Sequence, residues 1–176
     1  MSDEPLKKVG GKLVHRGPIA SVRMETFQYA DGSRSTRQVV VHPGAVCIVP
    51  HDGRVLYMCE QPREAVEEPA LLELPAGKLD VEGETPLECA QRELAEEIGK
   101  SAGDWRELKS FYTSPGFATE RIWLYLATEL YDVPPDPQPG ERIEVVEVPL
   151  DDLDEAIGRC WDAKSLVGLL LLKELL

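Results

Sequence analysis

Positive charge, histidine, cysteine pairs and long apolar runs are all scarce in this chain, and each shortage excludes something. Lys and Arg number 19 against 32 Asp and Glu, for a net charge of −13. Nucleic-acid binding needs a basic face against the phosphates, so nucleic acid is not expected as a partner. A small nucleotide stays open, because a bound metal ion screens its phosphates locally. The three histidines, His15, His42 and His51, are scattered, which argues against a His-based metal site. The four cysteines, Cys47, Cys59, Cys89 and Cys160, show no C-x-x-C spacing. They predict core thiols in a reducing cytoplasm rather than disulfides or zinc ligands. The longest apolar run, around residues 166–172, is too short for a bilayer, and the opening MSDEPLKK is polar and charged. The expectation is a cytoplasmic chain with neither leader nor membrane partner.

What is present is ordinary for one globular domain: 176 residues, 43% hydrophobic and 29% charged. No internal repeat appears. Residues 1–10 read as a loose tail. Residues 12–41 read as strands, with Asp31-Gly32 as a hairpin signal. That segment is too short to hold a core and must pack on something. Residues 45–49 and 54–59 are apolar runs joined through His51-Asp52-Gly53, which reads as a second hairpin. A short strand over residues 71–74 leads to a tight turn at Ala76-Gly77. Residues 105–112, 120–130 and 144–148 read as further strands. Between them residues 132–140, DVPPDPQPG, form a loop long enough to act as a lid. Asp151 or Asp152 caps a short helix, and residues 165–176 form a final apolar helix. Strands on both sides of a central helix, with a helix at the end, predict an α/β fold: a mixed sheet sandwiched by helices.

Residues 85–99 carry the strongest local signal. Thr85-Pro86-Leu87-Glu88 reads as N-cap, first-turn proline and capping-box glutamate. Gly99 suits the left-handed position past the last turn. Leu87, Ala90, Leu94 and Ile98 form one apolar stripe, and Glu93 and Glu97 stand together beside it, with Glu96 one step round. Like charges at this spacing cost roughly 0.2–0.5 kcal/mol per pair on an isolated helix. Arg92 pairs with Glu96 at i,i+4, but one arginine cannot neutralise the group. A hard divalent cation neutralises such a group, and Mg²⁺ favours carboxylate, water and phosphate oxygen.

Gly77, Glu84, Arg92-Glu93-Leu94, Glu96-Glu97 and Gly99 together resemble the box of the Nudix hydrolases, which split nucleoside diphosphates linked to another moiety. The seven residues between Glu84 and Arg92 match that pattern. Six rather than five separate Gly77 from Glu84, and Lys100 stands where an aliphatic is usual. The resemblance implies a Nudix α-β-α sandwich over residues 42–176, preceded by a small antiparallel β segment, residues 1–41, that serves as a dimerisation element. It implies Glu93, Glu96, Glu97 and the carbonyl of Ala76 as ligands of Mg²⁺, or Mn²⁺ in its place. Glu93 and Glu97 would then be catalytic through the metal. Gly77, Glu84, Arg92 and Gly99 take structural parts, Glu84 pairing with Arg92.

ELPAG at the box entrance and Ser114-Pro115-Gly116-Phe117, with Pro115 sixteen positions after Gly99, are similar to the ADP-ribose pyrophosphatase branch. That likeness implies cleavage of ADP-ribose to AMP and ribose 5-phosphate by a homodimer. Pro115, Gly116 and Arg63 would contact the substrate, Arg63 through its phosphates. A late glutamate, Glu141 or else Glu144, would bind metal or act as base. GDP-mannose or another nucleotide sugar is the alternative substrate, and a non-catalytic nucleotide sensor the remote one. No base-stacking residue stands out.

Overall fold

A computed structural model describes residues 6–134 and 142–176. Its contacts divide the chain into two compact units. One is Met1–Gly44 with Tyr112–Arg121; the other is Ala45–Phe111 with Ile122–Leu176.

The first unit is a three-stranded antiparallel sheet, β1 (Leu6–Arg16), β2 (Ser21–Tyr29) and β3 (Arg34–Val41), in that order. Gly32 adopts the left-handed φ of 83° that the β2–β3 turn needs, and Asp31 accepts hydrogen bonds from Ser33. The hairpin signal is therefore borne out. Over residues 6–10 the loose tail is not, since β1 begins at Leu6 and pairs with β2 along its length; residues 1–5 lie outside the described residues. Every residue of β1 is exposed, so the strand carries no burial pattern to betray it. Tyr112–Arg121, which joins the strands read over residues 105–112 and 120–130, belongs to this unit: the Val40 N–H donates to the Phe117 carbonyl and the Thr119 N–H to the Val40 carbonyl.

The second unit holds two sheets. β4 (Ala45–Pro50), β7 (Ala76–Lys78), β8 (Lys100–Tyr112) and β9 (Arg121–Asp132) form a mixed sheet ordered β7-β4-β9-β8, with β4 and β9 parallel. β5 (Val55–Arg63), β6 (Glu68–Glu73) and β10 (Glu144–Pro149) form an antiparallel sheet ordered β10-β5-β6. So β4 and β5 are not a hairpin: the turn at Asp52-Gly53 hands the chain from one sheet to the other. The only bridge between the two runs is His51 to Leu56. All six residues of β4 are buried, and their side chains feed two cores. Cys47 and Val49 face α2 (Leu153–Arg159) and α3 (Ala163–Leu175). Val46 and Ile48 face α1 (Pro86–Glu93). A strand with helices on both faces is apolar throughout, which is why its run shows no alternation.

Close packing seats α3. A Cβ at Gly168 would lie 2.4 Å from Leu74 Cδ1 and 3.1 Å from Val49 Cγ2. All four cysteines are free and buried. Among the described residues no helix is long and apolar enough to cross a membrane. Most of the proline-rich loop, with Glu141, lies outside the described residues.

Candidate active site

Thr85 builds the start of α1 as its sequence dictates. The Glu88 N–H donates to Thr85 Oγ1 at 3.3 Å, and the Thr85 N–H donates to Glu88 Oε2 at 2.8 Å. Two orphan amide donors are thereby satisfied. At the other end Gly99 takes the left-handed conformation, φ 70°, and its N–H donates to the Ala95 carbonyl.

The helix between them is not uniform. After Glu93 it widens into a π-turn over Leu94–Ile98. Such turns are rare and cluster at functional sites. Here the wide turn lets Leu94 and Ile98 stay buried while Glu97 is also drawn inward, to 8% exposure. Glu93 is buried to 6%.

Ala76 and Gly77 lie against this flank. They are not a turn: both sit in β7, where Val46 pairs with Gly77 and Cys47 with Ala76. Gly77 is required for space, since a Cβ there would fall 1.9 Å from Glu93 Cδ and Oε1. The Ala76 N–H donates to Glu97 Oε2 at 3.0 Å. One short strand therefore touches both buried glutamates.

Arg92 is the local countercharge. It grips Glu84 with a fork, Nε to Oε1 at 2.8 Å and Nη2 to Oε2 at 3.0 Å. Its Nη1 donates to Glu93 Oε1 at 2.7 Å and to Glu96 Oε2 at 3.2 Å. The arginine thus binds the loop glutamate to the helix. Its hydrogen bonds hold the Glu84 carboxyl below the usual range, and Glu84 in turn raises the guanidinium.

Arg63 closes β5 in the same unit. Its Nε and Nη2 donate to Glu73 Oε1 and Oε2 at 2.6 and 2.7 Å. The hydrogen bonds to Glu73 are the first reason the guanidinium is held further above its usual range. Glu144 opens β10, exposed and opposite Glu60. Pro115 and Gly116 belong to the first unit, in a turn where the Phe117 and Ala118 N–H groups donate to the Ser114 carbonyl. Glu73 and Lys164 escaped the sequence reading. The visible hint was Asp162, placed to cap the last helix; the partner it helps to hold, Glu73, is remote in sequence.

The donor set suits a hard divalent ion: three glutamates on one helix flank, two of them nearly buried, beside the backbone of Ala76 and Gly77. Among the described residues, no three Asp, Glu, His or Cys side chains converge into a finished cage. Arg92 draws Glu93 and Glu96 instead.

A helix that crowds carboxylates against a glycine-bearing strand, braced by a Glu–Arg fork, suits metal-assisted hydrolysis of a phosphate anhydride. The family model for the NUDIX domain matches residues 41–167. The chain belongs to the Nudix family and is a Nudix hydrolase, a class that generally uses divalent metal ions. It is 35% identical to an ADP-ribose pyrophosphatase of Bacillus subtilis over 97% of this chain and 95% of that one. It is 40% identical to the ADP-ribose pyrophosphatase of Mycobacterium tuberculosis over 76% of this chain and 64% of that one. A GDP-mannose pyrophosphatase of Enterobacter is 34% identical over 55% of this chain and 52% of its own length. The solved structure of an ADP compounds hydrolase superposes with a TM-score of 0.85 over 99% of this chain and 96% of that one, at 24% identity.

Proposed function

We propose that this chain hydrolyses ADP-ribose to AMP and ribose 5-phosphate with Mg²⁺. The observation that carries the reading is the pair of buried glutamates, Glu93 and Glu97, held against Ala76 and Gly77 within a chain similar along nearly its full length to an ADP-ribose pyrophosphatase. Glu93, Glu96, Glu97 and the Ala76 carbonyl would hold the metal, with Mn²⁺ as a possible substitute. The bound ion supplies charge neutralisation on the pyrophosphate oxygens and an activated water. The chain's own residues do the rest. The Ala76 N–H fixes Glu97, Gly77 leaves Glu93 its place, and the Glu84–Arg92 fork ties the loop to the helix. Arg63 offers a guanidinium to the substrate phosphates, a task its planar donors suit. The sequence likeness assigns Pro115 and Gly116 to substrate contact, and Glu141, or Glu144, as the late acid.

Residues 1–41 act as a dimerisation element in this reading. The support is β1, exposed along its whole length and carrying Leu6, Val9, Leu13 and Val14. Light scattering that returned a monomer at working concentration would remove that part. A cytoplasmic setting accords with four unpaired cysteines.

The test is product analysis with Mg²⁺, offering ADP-ribose and GDP-mannose side by side, with EDTA controls. AMP with ribose 5-phosphate in clear preference is the expected result. GMP with mannose 1-phosphate in preference would keep the chemistry and discard the substrate. Cleavage of neither, nor of a wider nucleotide panel, would favour a sensor. Glu97→Gln should abolish turnover; an unchanged rate would refute the metal assignment.

A further inference from the structure

Arg63 is the half-exposed end of a chain of charges that runs through the buried Glu73 into the last helix. Its partner Glu73 has a side chain only 2% exposed. The Glu73 Oε2 that takes Arg63 Nη2 also takes Lys164 Nζ, at 2.6 Å. Lys164 donates in turn to Asp162 Oδ2 at 2.8 Å. Asp162 caps α3 by accepting from the Ser165 N–H at 3.0 Å, and Ser165 Oγ accepts the Leu74 N–H at 2.7 Å. The first turn of α3 therefore touches both the residue that grips Arg63 and the strap leading to Ala76.

The charges balance: Glu73 and Asp162 against Arg63 and Lys164. Burial alone would push the Glu73 carboxyl up, yet Arg63 and Lys164 outweigh it and hold it below the usual range. Burial opposes the Lys164 charge, and Asp162 with Glu73 restores it. Meanwhile Arg63 keeps 40% of its side chain exposed, and its Nη1 takes no part in the Glu73 fork. A bidentate grip on one edge of a guanidinium fixes the direction of the other edge.

We propose that Lys164, acting with Asp162 through Glu73, is a positioning residue for Arg63, setting the edge of the guanidinium that meets the substrate phosphates. The inference rests on the phosphate role given to Arg63 above. Lys164 shares Glu73 Oε2, so Glu73 cannot draw Arg63 wholly inward. Removing the lysine leaves the buried Glu73 and the part-buried Asp162 with one cation between them, and Arg63 is pulled toward them.

The experiment uses the full chain in four forms: wild type, Lys164→Met, Arg63→Ala and the double variant. KM and kcat are measured on the nucleotide sugar the enzyme cleaves. Kd for the same compound is measured by calorimetry in EDTA, where nothing turns over. Lys164→Met should raise KM and Kd about tenfold, roughly 1.4 kcal/mol, with a much smaller change in kcat. Lys164→Arg should recover most of the loss. In the Arg63→Ala background Lys164→Met should add nothing, because the residue it acts through is gone. Should Lys164→Met fold poorly, Lys164→Gln, which keeps a donor without the charge, should show the same KM-weighted loss. A folded Lys164→Met with wild-type KM would overturn the inference. So would an equal KM penalty with and without Arg63, which marks a merely structural role. Wild-type KM and Kd in Arg63→Ala would refute the phosphate role itself, whatever Lys164 does.

Discussion

Gly77→Ala adds one methyl group at the point where β7 meets Glu93. The new Cβ would stand 1.9 Å from Glu93 Cδ and Oε1 and 2.2 Å from Cγ, where real contacts begin near 3.0 Å. Something must move by about 1 Å or more. The backbone at Gly77 pairs with Val46 on a fully buried strand, so the carboxylate is the softer partner. Two terms of opposite sign follow. Overpacking destabilises by roughly 1–3 kcal/mol. Loss of the glycine's freedom in the unfolded chain returns about 0.4–1 kcal/mol. The net is a loss of about 0–2.6 kcal/mol, or up to some 10 °C in Tm for a chain of this length. Catalysis is far more sensitive, since a 1 Å misplacement can cost about 100-fold, near 2.7 kcal/mol of barrier. The assay pairs thermal unfolding with kcat at saturating metal. Gly158→Ala is the control for activity, because a Cβ there meets nothing within 4 Å. A Gly77→Ala enzyme with kcat within threefold of wild type and unchanged Tm would refute the placement of Glu93 against this strand.

Gly168→Ala tests the seat of α3. Its Cβ would strike Leu74 Cδ1 at 2.4 Å, and overpacking of roughly 1–3 kcal/mol should exceed the ~1 kcal/mol that alanine adds in a helix; a raised Tm would show the contact is looser. The cysteines should be silent toward a thiol reagent at pH 8 and all four should react in denaturant. Burial pushes Cys47, Cys59 and Cys160 up and Cys89 up to about 12, so a native thiol titrating within minutes would contradict that burial. Acid should find Glu73. Its folded pKa is depressed, so its contribution is fully present above the unfolded value of about 4.3 and is lost as pH falls through the folded value. Glu73→Gln should flatten the fall in stability below about pH 4, read by denaturant midpoints; an unchanged slope would assign the acid sensitivity elsewhere.

The features legible in the sequence are those fixed by neighbours along the chain. The Thr85 capping box, the left-handed Gly99 and the Asp31-Gly32 turn are each specified within a few residues. The Glu84–Arg92 pairing came with the box spacing. Features decided across the fold were not legible. β4 and β5 look like a hairpin because their apolar runs are alike, yet one is buried on both faces and each joins a different sheet. Residues 6–10 form a strand through backbone pairing and the ion pair of Lys8 with Glu25, neither of which a local pattern announces. The Ala76-Gly77 pair suggested a turn because glycine often marks one, whereas here the missing side chain makes room for Glu93. The Glu73–Lys164 bond joins positions 91 apart, and no local pattern announces it.

The π-turn over Leu94–Ile98 separates two things that a linear motif treats as one. A motif counts letters; a binding site needs bearings and depths. In a widened turn each residue advances through a smaller angle than in a regular helix. The same letters wound on an ordinary α-helix would point Glu96 and Glu97 in other directions. Anyone grafting residues 84–99 onto a foreign helical scaffold would therefore have to carry over the distortion with the alphabet. A scaffold chosen for its helical regularity would be the wrong host.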